Sequence, residues 1–403
     1  MSAPKKIAKV GIVYSDNGRQ SGESKHLAHY LCGLLSTSGY AQIYMIPFSS
    51  EGPIADFAQR RITYLSPKTN KLIEVPASDV TYGYMNSITE CHLIVVTVNS
   101  NDSTPCGQKL AEVLVNHHHV PIFSLQRGVR HGSILAEEVE SKGSTAIEAS
   151  LGFAVVIDPK TSAYVSTLKS PSVVFERLSK EDVKVADGPL RLLETMDLDI
   201  SFRKVLTPFA WGTLVYENLY ALNILTKGSL KDTLSRRDWR LIYALMIREN
   251  LNSLFVASKG GTWKPDLLLI SSIISPKLLE LMLIMPDFVF NLLIYLLDLS
   301  PNGQVISPGQ FDLMEGRKTQ TSLYLKEMVE VGKRYNSASP ACELILKTIE
   351  AIESHLDTGI GGAGRLHSYS TTNYMAIIQS EMEQLYPIHD TVSELQFWLI
   401  RIF

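Results

Sequence analysis

Short apolar runs alternate with helical patterns along the first part of the chain. Residues 7–14 are rich in Val and Ile, which is typical of a buried strand. Apolar residues then recur at helical spacing over 26–35, and residues 42–47 form a second apolar run. A strand, a helix and a strand in this order predict the start of a parallel α/β sheet.

The alternation continues to about residue 180. Residues 61–65 and 71–75 flank the turn-forming stretch Ser66-Pro-Lys-Thr-Asn70, and together they predict a hairpin. Helices are expected at 107–116 and 133–140. Further strands are expected at residues 93–98, 121–125, 150–157 and 172–177, the last two completing this part of the fold.

Beyond residue 180 the apolar spacing becomes that of long helices, which predicts an all-α domain. Helices are expected at residues 190–196, 211–226, 235–256, 276–299, 322–335 and 341–356. The most apolar region, 267–299, is interrupted by Lys277, Glu280 and Pro286. It lacks a clean run of about 20 uncharged residues, so it predicts buried core helices rather than a membrane span.

The end of the chain differs again. A glycine-rich stretch at 359–365 is typical of a linker, and an amphipathic segment follows over 374–403. We therefore expect residues 357–403 to form a linker and an extra C-terminal helix. Its dense apolar end would either pack against the body of the protein or bind a partner protein.

Charge and composition argue against nucleic acid, anionic membranes and metal ions as partners. The formal net charge is −3 and basic residues are scattered, which does not favour nucleic acid or an anionic membrane. The four cysteines are far apart, so we expect free thiols in a reducing compartment. No signal-peptide pattern precedes the first strand, and a cytoplasmic protein is expected. Residues 117–119 are three consecutive histidines, which cannot converge on one ion, so no metal is expected.

Four stretches, in the right order, resemble the ketopantoate reductase (2-dehydropantoate 2-reductase) family. Ser124-Leu-Gln-Arg-Gly128 follows a strand where the family has Ser-Leu-Gln-Asn-Gly. The others are the apolar strand that ends at Asn99, the helix from Trp211 to Thr226, and Asp312-Leu-Met-Glu-Gly-Arg317. Together these stretches span about residues 5–355.

The resemblance implies a fold and an activity. It implies a Rossmann-like nucleotide-binding domain over residues 1–180 and a helical domain over 181–356, similar to the C-terminal helices of 6-phosphogluconate dehydrogenase. The implied reaction is hydride transfer from NADPH to a 2-oxo acid such as ketopantoate, with a proton delivered to the alkoxide. The resemblance also implies a homodimer.

The positions that would perform this chemistry are mostly replaced. The family's lysine position holds Thr213, whose hydroxyl cannot act as a cationic acid near neutral pH. The family's glutamate position holds Gln320, which has no titratable proton. The asparagine of the Ser-Leu-Gln-Asn-Gly motif is Arg127, and the lysine at the end of the preceding strand is Asn99.

Some polar positions of the expected substrate pocket are retained. Asn218 and Asn223 match the asparagines of the family's helix, although five residues apart rather than four. Ser307 matches the first serine of the family's Ser-Ser-Met stretch. These three residues are the candidate substrate-pocket residues.

The expected nucleotide loop also departs from the pattern. A dinucleotide fold has G-x-G-x-x-G after its first strand, whereas here the glycines are Gly18 and Gly22. Asp16 would repel a pyrophosphate, but a helix starting near Ser21 would offer N–H groups to an anion. If NADP is retained, the resemblance assigns its binding to Ser15, Gly18, Gly22, Asn99, Gln126 and Arg127.

Three hypotheses follow. The chain is a family member that kept the fold, lost the reaction and acts as a binding or scaffold protein. Alternatively it is an active NADP-dependent oxidoreductase, in which Arg127 orients a carboxylate and Lys204 or Lys227 supplies the proton. In the third, it is an interaction protein that works through residues 374–403.

Overall fold

The structure is a computed structural model of the chain. It describes residues 8–16, 21–48, 61–117, 120–176, 188–189, 191–267, 274–297, 301–302, 304–357, 378 and 380–382. The glycine-rich stretch at 359–365 and most of 374–403 lie outside the described residues.

Twelve strands of the described part form two sheets. The strands are β1 (Ala8–Ser15), β2 (Ala41–Phe48), β3 (Thr63–Leu65), β4 (Leu72–Glu74), β5 (Val80–Tyr82), β6 (Leu93–Val96), β7 (Ile122–Ser124), β8 (Ala146–Leu151), β9 (Val155–Ile157), β10 (Tyr164–Ser166), β11 (Ser172–Glu176) and β12 (Asp199–Arg203). The larger sheet has the order β12-β11-β8-β7-β6-β1-β2-β5, and the smaller one has the order β4-β3-β10-β9.

The larger sheet has the topology of a Rossmann-like fold. Its pairs are parallel except for β8 with β11. From β1 the chain builds β2 and β5 on one side, then returns to add β6, β7 and β8 on the other side. The chain therefore changes direction between β1 and β6, the place where such sheets bind ligands.

Helices cover both faces of this sheet. Helix α1 (Glu23–Ser36) packs against β1 and β2, while α2 (Ser103–Val113) and α3 (His131–Glu140) pack together. Ile12 of β1 belongs to one apolar core and Val13 to a second one, which includes Leu110 and Leu135. Burial on both faces explains why the strands read as continuous apolar runs.

The helical part is built around one long buried helix. Its helices are α4 (Thr207–Thr226), α5 (Leu230–Ser235), α6 (Arg237–Ala257), α7 (Pro276–Leu283), α8 (Asp287–Leu296), α9 (Pro308–Met314), α10 (Thr321–Arg334) and α11 (Pro340–Asp357). Helix α4 is 20 residues long, and α6, α9, α10 and α11 all contact it. None of the helices in the described ranges combines the length and apolar character that crossing a bilayer requires.

Three expectations from the sequence were wrong in detail. Residues 150–157 contribute to two strands, β8 in the larger sheet and β9 in the smaller one. The strand at 172–177 does not complete the larger sheet, because β12 pairs with β11 beyond it. Residues 276–299 contain two helices rather than one, because Pro286 separates α7 from α8 and disfavours helical geometry in the residue before it.

Other expectations are confirmed. The hairpin around Ser66-Pro-Lys-Thr-Asn70 is formed by antiparallel β3 and β4. All four cysteines are free and buried. Of residues 374–403, Ile378 and Met382 are described as part of the main hydrophobic core, so this portion of the segment packs against the body of the protein.

Candidate functional site

The candidate site lies where the carboxyl ends of β1 and β6 meet the start of α1. Ser15 ends β1, and Asn99 follows β6. The Asn99 backbone N–H donates to Ser15 Oγ at 2.9 Å, and Asn99 Nδ2 donates to the Ser21 carbonyl at 2.9 Å. Two sequence-predicted cofactor residues, Ser15 and Asn99, are thus adjacent, and both are occupied by contacts within the protein.

Ser15 also anchors a buried carboxyl. Its hydroxyl donates to Asp102, while its backbone N–H donates to Ser24 Oγ at 2.8 Å. Burial raises the pKa of Asp102, and the bond from Ser15 offsets part of that rise. The hydroxyl predicted to face a cofactor is therefore used inside the protein.

A carboxylate of the helical part occupies the start of α1. The Gly22 N–H donates to Asp312 Oδ1 at 2.8 Å, and the Ser21 hydroxyl donates to Asp312 Oδ2. Arg317 Nε also donates to Asp312 Oδ1, at 3.1 Å. Helix N-termini attract anions because their N–H groups are free and their dipole end is positive. In this structure the side chain of the buried Asp312 occupies this position. Burial raises the pKa of Asp312, and the bonds from Ser21, Gly22 and Arg317 oppose that rise.

Arg127 lies buried between two carboxylates. Its guanidinium forms ion pairs with Glu23 in the first turn of α1 and with Glu217 on α4. Its Nε donates to Glu217 Oε1 at 3.1 Å, and its Cζ lies 5.4 Å from the Tyr220 ring centroid and 5.2 Å from that of Tyr324. Burial raises the pKa of Glu217, and the Arg127 charge opposes only part of that rise. The sequence-predicted Arg127 is therefore the centre of a charge cluster.

Two glutamines complete the contacts at the site. Gln126 Nε2 donates to the Val98 carbonyl at 3.3 Å and to Ser103 Oγ at 3.1 Å. Gln320, at the start of α10, accepts from the Ser100 N–H at 3.1 Å. Asp312, Glu217 and Gln320 thus link the helical part to the carboxyl edge of the sheet.

Thr213 and Asn218 are buried polar residues of α4. Thr213 lies one helical turn before Glu217, so the two share a face of the helix. Thr213 Oγ1 and Asn218 Nδ2 have no hydrogen-bond partner among the described residues. An unsatisfied buried polar atom costs about 1–3 kcal/mol, so these two atoms are sites where a water or a polar ligand would bind favourably.

Asn223 and Ser307 lie together, near the end of α4. Asn223 Oδ1 accepts from the Ser307 N–H at 2.7 Å, and Asn223 Nδ2 donates to the Gly228 carbonyl at 2.9 Å. Ser307 Oγ accepts from the Gln310 N–H at 3.2 Å and begins α9. These polar groups fasten α4 to its neighbours.

The candidate cations are not brought to Arg127. Lys227 ends α4 in a left-handed conformation, with φ of 55°, and is exposed. It lies ten residues after Glu217, about 15 Å along the helix axis. Lys204 is exposed as well, and Gly18 lies outside the described residues. Within the described ranges no group of three or more His, Cys, Asp or Glu side chains is placed to bind a metal ion.

Sequence reasoning missed the partners of these residues. Asp312 was noted only as part of a motif, and Glu23 and Glu217 were not singled out. Glu217 had one usable signal, because a charged residue within the otherwise apolar helix from Trp211 to Thr226 needs a partner when it is buried. The identity of that partner, 90 positions away, follows only from the fold.

Comparison with known proteins was made at the level of sequence and of structure. No protein-family model matches the sequence, and no curated protein sequence matches it. Solved structures do match. A ketopantoate reductase from Ralstonia eutropha JMP134 has a TM-score of 0.59 and 14% identity, covering 87% of this chain and 99% of that chain.

Two further structures support the same fold. D-mandelate dehydrogenase with NADH and anilino(oxo)acetate has a TM-score of 0.60 and 13% identity, covering 87% of this chain and 99% of its own. A dimeric ketopantoate reductase from Staphylococcus aureus has a TM-score of 0.53 and 11% identity, covering 86% of this chain and 99% of that chain. This chain therefore has the two-domain fold of the ketopantoate reductases, and the resemblance found in the sequence is confirmed for the fold.

Proposed function

We propose that this chain is a divergent member of the ketopantoate reductase family that has lost the reductase reaction and acts as a binding or scaffold protein. The observation that carries the proposal is the Asp312 carboxylate on the Gly22 N–H and the Ser21 hydroxyl at the start of α1.

A dinucleotide does not fit the described residues in this arrangement. In Rossmann-like folds the pyrophosphate sits at the N-terminus of the first helix. Here a carboxylate occupies that position, and it would repel a pyrophosphate at short range. Arg317 Nε is bonded to Asp312, so this carboxylate already balances part of the Arg317 charge.

The residues at the reacting end support the same conclusion. Reduction of a ketone needs a group that stabilises the forming alkoxide and delivers a proton. Thr213 and Gln320 offer no acid that titrates near neutral pH. Arg127, the buried cation of this site, is already paired with Glu23 and Glu217. At these described positions, hydride transfer would find no acid even if a cofactor were bound.

The test is a calorimetric titration of the full chain with NADPH, NADP⁺ and NADH. We expect no binding up to millimolar cofactor. Binding at micromolar concentrations would contradict the proposal. An Asp312→Ala variant serves as the internal comparison, because removing the carboxylate frees the Gly22 N–H and the Ser21 hydroxyl. It is expected to bind inorganic pyrophosphate more tightly than the parent protein.

The alternative is an NADP-dependent oxidoreductase that reduces a 2-oxo acid such as ketopantoate. The fold shared with an NADH-bound dehydrogenase favours it. In this case Arg127 would release its glutamates and orient the substrate carboxylate, with Lys227 as the acid. If Arg127→Ala and Lys227→Ala both leave NADPH-dependent turnover of a 2-oxo acid panel unchanged, this version fails.

We also propose that the protein is a homodimer. The resemblance implies this state, and the Staphylococcus aureus ketopantoate reductase with the same fold is dimeric. Residues 374–403 remain a proposed second interaction segment beyond the portion around Ile378 and Met382, whose side chains are buried in the core.

A further inference from the structure

Helix α8 carries an exposed apolar face. Phe288, Leu292, Tyr295 and Leu296 are 77%, 55%, 81% and 65% exposed. Their spacing of four, three and one residues places them on one side of the helix. The opposite side is apolar as well, since Phe290 is buried in the core. The helix is therefore apolar on the side that packs and on the side that faces water.

A face of this kind marks an interface, because soluble proteins rarely leave several large apolar side chains adjacent and exposed. The face also lacks charge. Asp287, the only charged residue of α8, forms an ion pair with Arg240 at 2.6 Å. Asn291, the remaining exposed residue of the helix, is uncharged. A highly charged partner would find no unpaired charge on α8, whereas an identical apolar face would find a match.

We infer that this face binds a second copy of the chain, through antiparallel contact of α8 with α8 of the partner. The inference rests on the proposed homodimer and names its surface. Phe288 and Leu296 each lie four residues from Leu292. A twofold axis at Leu292 therefore places Phe288 against the partner's Leu296, so the face is complementary to itself.

The size of the face is sufficient for pairing. A buried aromatic side chain contributes about 150–250 Å², so the four side chains offer on the order of 500 Å² per copy. Two copies together would bury about 1,000 Å², which is where specific interfaces begin. Contacts around the helix would add to this area.

The first experiment measures the oligomeric state of the full chain by sedimentation velocity across a concentration series. We expect a dimer, and we expect Leu292→Asp to raise the dissociation constant at least 100-fold, because a charge at the axis meets its own copy. Phe288→Ser should also weaken the dimer, and it leaves the core unchanged because Phe288 is exposed. Tyr84→Asp is the matched control, since Tyr84 is 68% exposed but lies in the part of the chain that forms the sheet. Thermal melting verifies that each variant is folded.

A second experiment tests the axis itself. All four native cysteines are buried, so Leu292→Cys introduces one accessible thiol. A short bis-maleimide should link two copies through it, whereas Tyr84→Cys should give no such product.

Two outcomes would contradict the proposed α8 interface. A monomer at all concentrations overturns both the homodimer and its surface. A dimer that persists in Leu292→Asp and is not linked through Leu292→Cys overturns the α8 surface alone. Neither result depends on the cofactor titration. The dimer experiments and the test of the lost reductase reaction can therefore fail independently.

Discussion

At the scale of single residues, Arg127 shows both what the sequence reveals and what it hides. The motif Ser124-Leu-Gln-Arg-Gly128 placed Arg127 at a functional position, and the structure puts it at the carboxyl edge of the sheet, beside Gln126. Its two carboxylate partners are remote in sequence, and no local pattern pairs them. The replaced positions could therefore be predicted, but the charge cluster around Arg127 could not.

The Arg127 cluster predicts a large loss of stability on single substitution. Arg127→Met leaves Glu23 and Glu217 buried without a counter-charge, which should lower the free energy of unfolding by about 3–5 kcal/mol. Urea denaturation measures this change. The triple variant with Glu23→Gln and Glu217→Gln should recover most of the loss, and a triple variant as unstable as the single one would contradict the pairing.

Glu148 predicts a pH dependence of stability. Burial raises its pKa to about 7, and the nearby Glu176, Glu140 and Glu137 contribute to the rise. The folded protein thus holds this proton more tightly than the unfolded chain. The contribution of protonated Glu148 to the free energy of unfolding is present in full below about pH 4. It is lost as the pH rises through about 7.

Glu148→Gln should remove this dependence. At pH 8 we expect the variant to be more stable than the parent by about 1–2 kcal/mol, a value reduced for solvent screening of a partly exposed group. At pH 5 the two should be similar. Denaturation at both pH values checks the difference, and an equal gain at the two values would rule out the titration of Glu148 as its cause.

At the scale of elements, the sequence predicted the presence of helices and strands more reliably than their boundaries or the pairing of the strands. Residues 150–157 read as one apolar run, because hydrophobic periodicity cannot show that the chain leaves one sheet at β8 and enters another at β9. The strand β12 was missed because its five residues are only partly buried. The long helix α4 was predicted well, because its apolar pattern covers several turns.

Close packing of α4 predicts a sharp effect at Gly212. A Cβ added there would collide with the backbone carbonyl of Asp266, which cannot move as a side chain can. Gly212→Ala should lower the free energy of unfolding by about 2–4 kcal/mol. Gly132→Ala in α3 is the matched control, because its Cβ would meet only the flexible Glu148 side chain, at 3.3 Å. Thermal denaturation of both variants should show a large drop in Tm for the first alone.

At the scale of the whole molecule, the sheet and the helical part form a joined structure. Among the hydrogen bonds that link them are those from Gly22 to Asp312, from Arg127 to Glu217, from Ser100 to Gln320, and from Val129 to Glu327. The two-part architecture could be predicted from the switch between strand and helical periodicity near residue 180. The hydrogen bonds that join the two parts are tertiary contacts that no periodicity encodes.

The packing of the C-terminal segment predicts that it contributes to stability. Ile378 is fully buried in the main core, whereas Ser380, two positions later, is exposed. Ile378→Ala should cost about 2–5 kcal/mol in the free energy of unfolding, and Ser380→Ala should change it little. Chemical denaturation compares the two variants, and equal effects would mean that this segment does not belong to the core in solution.

The cluster of Glu23, Arg127 and Glu217 also has an evolutionary consequence. Because a change of Arg127 alone leaves two buried carboxylates without a counter-charge, Arg127 is expected to be lost only together with Glu23 and Glu217, and the three positions are expected to vary together among descendants. Replacing the cluster by uncharged residues would require coordinated substitutions, since loss of Arg127 first would be harmful by itself. If the reductase reaction has been lost as proposed, this coupling would make its recovery slow in every lineage that inherits the cluster.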